Sequence, residues 1–257
     1  MAYKGIDVSR YQGKIDWKKV KADGFQFAML KTVSTNKSFG GIYIDPYFEE
    51  NYAACKELGI PVGVYYYTYA QNIATADKEL AKLREAISGK VFEMPIVIDV
   101  EDNLLKPISK AALTELVEYA AELIESWGYY SMIYTYLNYA NTELDMQRLS
   151  RYDLWLAAYR QYRPAAPAHG MWQFTSEGTV KGVSGNVDVN YAYKNYPELI
   201  KRAGLNGLAE TGKTISQLAD EVLAGMWGNS KARRQALTAA GYDYNKVQKA
   251  VNKKLGI

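Results

Sequence analysis

The stretch Pro95-Ile96-Val97-Ile98-Asp99-Val100-Glu101-Asp102 is an apolar run that ends abruptly in acid. Its composition suits a strand covered on both faces, because such strands read as nearly continuous Val and Ile rather than as an alternation. The strand delivers carboxylates to its own C-terminal end. Successive side chains point to opposite faces, so Asp99 and Glu101 share one face, with Cα atoms roughly 7 Å apart at about 3.3 Å per residue. Ligands bind at strand C-termini in parallel barrels and doubly wound sheets, which makes the position as informative as the residue types. The plain alternative is an N-cap cluster for the next helix, a task that Asp102 or Asn103 fulfils without Asp99 or Glu101.

The flanking sequence repeats this pattern. Tyr3-Lys4-Gly5-Ile6-Asp7-Val8-Ser9 is a short strand with an aspartate near its end. Further strands are expected at Phe25 to Val33, Pro61 to Tyr69, Tyr130 to Tyr136, Leu154 to Tyr159, Met171 to Phe174 and Val187 to Asn190, the last bringing Asp188. Between the early strands lie helical patterns at Ile15 to Gly24, Pro46 to Gly59, Ala74 to Ile87 and Ser109 to Trp127, several closed by glycine. The late strands are joined by loops instead. Strands that alternate with helices and then lose them predict the α/β class, as a parallel barrel without its last helices.

Composition removes several chemistries. At 257 residues and 48% hydrophobic, the chain can bury one large core and a small appendage. No window approaches the roughly 18 apolar residues of a membrane span, and the first residues form no apolar signal segment. With one cysteine, Cys55, and one histidine, His169, there is no internal disulfide and no usual zinc ligand set. No metal or cofactor is expected. Cys55 sits in a helical pattern and reads as a small buried hydrophobe. His169 lies in the loop-like Pro167-Ala168-His169-Gly170 and reads as a surface residue rather than part of a Ser-His-Asp machine. Neither G-x-x-x-x-G-K-[ST] nor G-x-G-x-x-G occurs, so nucleotide chemistry has no support. Asn36-Lys37-Ser38 fits a glycosylation sequon by chance in a chain without a signal segment. The net charge of +3 is split unevenly: from Lys213 onward eight basic residues face three acidic ones, a balance of +5 that leaves −2 for the rest. Such a split marks two modules with different tasks.

The ordered set Gly5-Ile6-Asp7-Val8-Ser9 with Tyr11-Gln12-Gly13, Lys31-Thr32, Gly63-Val64-Tyr65, Ile98-Asp99-Val100-Glu101, Ile133-Tyr134-Thr135, Trp155-Leu156-Ala157-Ala158-Tyr159, Trp172-Gln173-Phe174 and Val187-Asp188-Val189-Asn190 resembles glycoside hydrolase family 25, lysozymes of the N-acetylmuramidase type. The resemblance spans about residues 3 to 200. It implies a flattened eight-stranded β/α barrel and hydrolysis of the β-1,4 bond between N-acetylmuramic acid and N-acetylglucosamine in bacterial peptidoglycan. One departure is Tyr66, where relatives often carry histidine.

Glycosidic cleavage needs an acid for the leaving oxygen and negative charge or a nucleophile beside an oxocarbenium-like centre. The resemblance implies Glu101 as proton donor. Crowding by Asp99, Asp7 and Asp188 raises the pKa of at least one carboxyl, because like charges oppose further ionisation. Asp99 or Asp188 stabilises the positive centre, attacks it, or orients the substrate's own 2-acetamido group; the sequence leaves these three open. For Asp7 and Asp188 a cap or turn role is the structural alternative. Tyr65, Tyr67, Tyr134, Trp155 and Trp172 sit on strands that can converge near the acids, and flat rings with polar edges suit pyranose faces. Core packing is the competing role for each. Lys31 also matches a family position, where it meets a substrate carboxylate or pairs with a catalytic acid.

The barrel is expected to fill residues 1–204, with residues 205–214 as a linker and 215–257 as a three-helix, all-α module. Its helical patterns are Ile215 to Ala224, Lys231 to Ala240 and Asn245 to Leu255, with Leu218, Val222, Leu237, Val247, Val251 and Leu255 as a small core. Arg233 and Arg234 invite a DNA-binding reading, although such pairs commonly form a solvated face. The tail instead resembles the cell-wall-binding repeat of some phage lysozymes, through Leu218-Ala219-Asp220-Glu221-Val222, Gly225-Met226-Trp227-Gly228-Asn229 and Ala239-Ala240-Gly241-Tyr242-Asp243-Tyr244. The expected partner is therefore bacterial peptidoglycan, not nucleic acid and not the membrane interior. The combination implies a phage-type endolysin made in the host cytoplasm and acting at the wall. A sugar-binding barrel without catalysis is the main rival, but such a protein typically loses an acid, and all four carboxylates are present.

Overall fold

The computed structural model describes residues 2–208, 213–239, 242 and 244–256, leaving aside the side chains of Ser230 and Ala239. The chain separates into two compact units, Met1–Leu208 and Ala209–Ile257.

In chain order the strands of the first unit are β1 (Tyr3–Val8), β2 (Phe27–Lys31), β3 (Val33–Asn36), β4 (Gly41–Ile44), β5 (Val62–Tyr67), β6 (Ile96–Asp99), β7 (Ser131–Tyr136), β8 (Asp153–Ala157), β9 (Met171–Gly178) and β10 (Val187–Ala192). Its helices are α1 (Trp17–Ala22), α2 (Phe48–Glu57), α3 (Ile73–Ile87), α4 (Lys110–Ser126), α5 (Leu137–Thr142) and α6 (Tyr196–Arg202). Eight strands close into a barrel in the order β1-β10-β9-β8-β7-β6-β5-β2. This is the eight-stranded α/β barrel expected from the sequence, with helices lost between the late strands.

Two details differ. The barrel is not wholly parallel, since β10 runs antiparallel to both β1 and β9. The connection from Gly178 to Val187 is too short for a parallel return, which needs a crossover of about a dozen residues or more. The run from Phe25 to Val33 is also not one strand. At Thr32 the backbone N–H donates to the Tyr65 carbonyl (2.8 Å). The chain then leaves the barrel, and β3 pairs with β4 as a separate hairpin.

The barrel wall separates two apolar layers. Outside it, α3 and α4 lay Leu80, Leu83, Ile87, Leu113, Val117 and Ile124 against outward residues such as Ile98 and Ile133. Their spacing of three and four residues places them on one helix face, and each fully buried aliphatic side chain contributes about 1.5–3 kcal/mol. Asn72 and Ser109 cap the two helices by accepting from Thr75 and Ala112 backbone N–H groups. Tyr66, the departure from the family pattern, is buried in this outer layer, while Tyr65 belongs to the inner one. Inside, Phe27, Met29, Met94, Val97, Met132 and Met171 fill the barrel floor. Gly63 makes this packing possible: a Cβ there would lie 2.7 Å from Met29 Cε and from Met94 Cβ.

Residues 205–208, the start of the expected linker, belong to the barrel. Asn206 is fully buried, with positive φ (57°), a conformation that asparagine tolerates. Its Oδ1 accepts from the Tyr130 N–H (2.6 Å), and its Nδ2 donates to the Met94 carbonyl (2.9 Å). Hydrophobicity alone gave no signal for this polar anchor. Residues 209–212 of that linker lie outside the described residues.

The second unit contains α7 (Ile215–Leu223), α8 (Ser230–Ala239) and α9 (Tyr244–Leu255). Leu218, Val222, Leu237, Val247 and Val251 form its core, but Leu255, expected with them, is 56% exposed in the last turn of α9. Trp227 donates from Nε1 to Glu221 (2.8 Å), which also pairs with Lys213 (2.8 Å), and Tyr242 meets the indole edge to face. Residues 240, 241 and 243, in the 239–244 stretch that carries the repeat resemblance, lie outside the described residues. Among the described residues no helix is long and apolar enough to cross a membrane.

Candidate active site

Above the apolar floor, the inward positions of the strands become polar. Asp7 of β1, Lys31 of β2, Tyr65 and Tyr67 of β5, Asp99 of β6, Tyr134 of β7, Trp155 of β8, Gln173 of β9 and Asp188 and Asn190 of β10 all belong to this layer. They meet because strand alternation sends every second residue inward and the register sets them side by side: Lys31 opposite Tyr65, Tyr67 opposite Asp99, Asp99 opposite Tyr134, and Asp7 opposite Asp188. A cavity of about 230 Å³ opens over them, and Asp7, Asp99, Glu101 and Asp188 all line it. Of the ten residues expected at the site, all but Trp172 contribute to its lining.

The backbone after β6 is fixed from both sides. The Val100 N–H donates to the Tyr134 carbonyl (3.0 Å), and Thr135 Oγ1 donates to the Val100 carbonyl (2.7 Å). This aims Glu101 back over the cavity. The capping role weighed for this acidic cluster falls to Asp102, whose Oδ1 accepts from the Leu104 N–H (2.8 Å) while Oδ2 accepts from the Tyr67 hydroxyl (3.0 Å). Asp99 and Glu101 are thereby left without a capping task.

The four carboxyls divide into two neighbouring pairs. Asp7 Oδ2 accepts from Gln173 Nε2 (2.9 Å) and Asn190 Nδ2 (2.8 Å). Burial, and then the charge of Asp188, hold Asp7 well above the usual carboxylate range despite these donors. Asp188 is raised by burial and drawn back by its interaction with Asp7. In the other pair, burial and the neighbouring Glu101 raise Asp99 strongly, with Lys31 opposing. Burial pushes Glu101 up to about 7, again against Lys31 and with Asp188 and Asp102 adding to the rise. A carboxyl poised near neutrality beside others is suited to proton donation. Asp99 Oδ1 is buried and has no hydrogen-bond partner among the described residues.

The aromatic walls are held rigidly. Trp155 is 1% exposed, packs edge to face on Tyr134 (4.7 Å between ring centres) and Tyr65 (6.0 Å), and donates to Asn190 Oδ1 (2.8 Å). The Tyr134 and Tyr159 hydroxyls both donate to Gln173 Oε1 at 2.9 Å. Lys31 Nζ lies 4.7 Å from the centre of the Tyr67 ring. Trp172, expected near the acids, is elsewhere: it donates to the Ala158 carbonyl (2.9 Å) and packs on Phe174 and Tyr191. Its neighbour Gln173 takes the inward position, and with Asn190 it is the functional pair that the sequence reading missed. The signal was available, since both are polar residues at inward steps of otherwise apolar or aromatic strands.

Neither remaining reactive residue type takes part. Cys55 is fully buried and its thiol is pushed up by burial. His169 is 7% exposed rather than on the surface, with Nε2 accepting from Arg163 Nε (2.9 Å) and Nδ1 2.8 Å from the Pro167 carbonyl. Among the described residues no three of the His, Cys, Asp and Glu side chains are grouped to hold a metal ion.

Known proteins share the sequence pattern and the fold of this chain. Residues 6–183 match Glycosyl hydrolases family 25, and residues 216–255 match the CW_7 repeat. The chain is 31% identical to the uncharacterized protein YegX of Escherichia coli O157:H7, over 80% of this chain and 75% of that protein. It is 29% identical to the autolytic lysozyme of Clostridium acetobutylicum, over 73% of this chain and 55% of that one. The crystal structure of the bacterial lysozyme from Streptomyces coelicolor superposes with a TM-score of 0.67 at 26% identity, covering 80% of this chain and 98% of that one. With more than half of its length matched to the family, and its strands closed into the same barrel, this chain belongs to glycosyl hydrolase family 25.

Proposed function

We propose that the barrel is an N-acetylmuramidase, which hydrolyses the β-1,4 bond from N-acetylmuramic acid to N-acetylglucosamine in peptidoglycan and so lyses the cell. The observation that carries this reading is the convergence of Asp7, Asp99, Glu101 and Asp188 on one cavity, with Glu101 poised at about 7. The likeness to lysozymes supports peptidoglycan as the polymer.

In this reading Glu101, protonated below neutrality, gives its proton to the glycosidic oxygen as the bond to the anomeric carbon breaks. The positive charge that develops on the sugar ring falls beside Asp99, whose buried Oδ1 has no other hydrogen-bond partner among the described residues and whose ionisation, which burial opposes, the developing cation favours. The Asp7–Asp188 pair, in which burial and mutual charge oppose double ionisation, adds negative potential beside the ring. Gln173 and Asn190 fix Asp7, while Tyr65, Tyr67 and Tyr134 give the sugar a rigid, half-polar wall. Lys31 keeps the pKa values of Asp99 and Glu101 from rising further.

The C-terminal unit, through its CW_7 likeness and its excess of basic residues, serves as a wall-binding module. Tethering it to the barrel raises the local concentration of enzyme on an insoluble substrate, and anionic wall polymers favour its charge. The site of action is the bacterial cell wall.

Digestion of purified peptidoglycan tests the reading. Wild type is expected to release soluble reducing ends, and Asp99→Asn to lose about 10²–10³ of the rate, the scale of one removed charge-stabilising group. Binding to the wall without reducing ends from wild type would leave a sugar-binding barrel instead.

A further inference from the structure

A second cavity, of about 370 Å³, shares Glu101 and Tyr134 with the first and continues beyond them. The remainder of its lining comes from Tyr136, Leu137, Asn138, Ala157, Ala158, Tyr159 and Arg160. Apart from Glu101 at the junction, Arg160 is its one charged residue.

Three features give Arg160 a defined place. The segment that carries it is pinned where it leaves β8: Trp172 Nε1 donates to the Ala158 carbonyl, the Ala158 N–H donates to the Gln173 carbonyl (3.0 Å), and the Tyr159 hydroxyl donates to Gln173 Oε1. Among the described residues the exposed guanidinium has no ion-pair or hydrogen-bond partner. Its charge is also not used on the acid, since the groups acting on Glu101 are Lys31, Asp188 and Asp102.

The groove therefore has an electrical direction. All four carboxyls border the first cavity, so the sugar that becomes positive lies there, and the departing sugar lies on the far side of Glu101. A cation on the departing side that does not act on Glu101 does not assist the positive centre. It is suited instead to an anion carried by the departing strand, and a planar guanidinium matches a carboxylate through two parallel N–H donors.

We propose that the second cavity holds the departing part of the glycan strand, and that Arg160 recognises a carboxylate on it. This rests on the muramidase reading above. Two sources share that chemistry: the lactyl carboxylate of the next muramic acid when its peptide has been removed, and a carboxylate of an intact stem peptide.

The test compares kcat/KM on amidase-stripped strands, on the same strands with the lactyl carboxylate converted to a methylamide, and on strands with stem peptides whose carboxylates are free or amidated. Wild type is expected to favour a carboxylate-bearing strand over its neutral counterpart by about tenfold, near the low end for a hydrogen bond to a charged group. Arg160→Gln should abolish that preference, bringing kcat/KM on carboxylate-bearing strands down to its value on their neutral counterparts, and Arg160→Lys should retain part of it. Preference confined to stripped strands names the lactyl group, and preference confined to peptide-bearing strands names the stem. Equal wild-type rates on charged and neutral strands, or a preference unchanged in Arg160→Gln, would overturn the proposal. Failure of wild type to release reducing ends from any strand would instead mark failure of the muramidase reading.

Discussion

Replacing Glu101 by Gln should destroy activity and stabilise the barrel above neutral pH. Burial raises the Glu101 carboxyl from 4.5 to about 7, so folding favours its protonated form. The corresponding stability is fully present below about pH 4.5 and is lost as the pH rises through about 7. At 1.36 kcal/mol per tenfold change in proton affinity, that interval amounts to roughly 3 kcal/mol, and partial solvent contact at Glu101 reduces it to about 2. Glutamine never ionises, so the stability of Glu101→Gln relative to wild type should improve by about 2 kcal/mol between pH 4 and pH 8. For a barrel of this size the corresponding shift in Tm is about 4–8 °C. Thermal unfolding of both proteins, followed by near-ultraviolet circular dichroism at intervals across this range, measures the difference directly. A stability difference that stays constant with pH would refute the assigned acidity of Glu101.

Three further outcomes follow from the same geometry. Because Lys31 holds the Glu101 pKa down, Lys31→Met should move the descending limb of the kcat/KM profile to higher pH; an unmoved limb would mean that another group donates the proton. Asn206→Ala strips hydrogen bonds from the Tyr130 N–H and the Met94 carbonyl beneath the barrel, and should cost about 2–4 kcal/mol in denaturant unfolding while leaving the pH profile in place. His169 is held neutral by burial and by Arg163, so its contribution to stability is present above its ordinary value and lost as pH falls below it; His169→Gln should flatten the acid limb of Tm against pH, and an unchanged slope would count against that reading.

The strand pattern made most of the barrel legible, because continuous apolar runs punctuated by glycine report burial on both faces. Asp7, Asp99 and Asp188 could be found because a carboxyl near the end of an apolar strand has little structural reason to be there. Gln173 and Asn190 were harder to find, as amides are common at strand ends and their role depends on register across β9, β10 and β1. Trp172 was misplaced by one step of the pleat, which exchanges the inner and outer faces. Burial of Asn206 depends on Tyr130 and Met94, far from it in sequence, whereas His169 is enclosed with Arg163 and Pro167 of its own loop, which the loop-like composition does not reveal. The departure of β3 and β4 from the barrel was hidden because Val33 continues the apolar run of β2 while the chain changes direction at Thr32.

The central claim is tested most directly by the chemistry of the new chain ends. Peptidoglycan digested by wild type and by Glu101→Gln would be reduced with borohydride and its products identified by mass spectrometry. Reduced muramic acid at the new ends from wild type, and almost none from the variant, is the expected result. Reduced glucosamine ends, or equal yields from both proteins, would contradict the assignment of a muramidase with Glu101 as its acid.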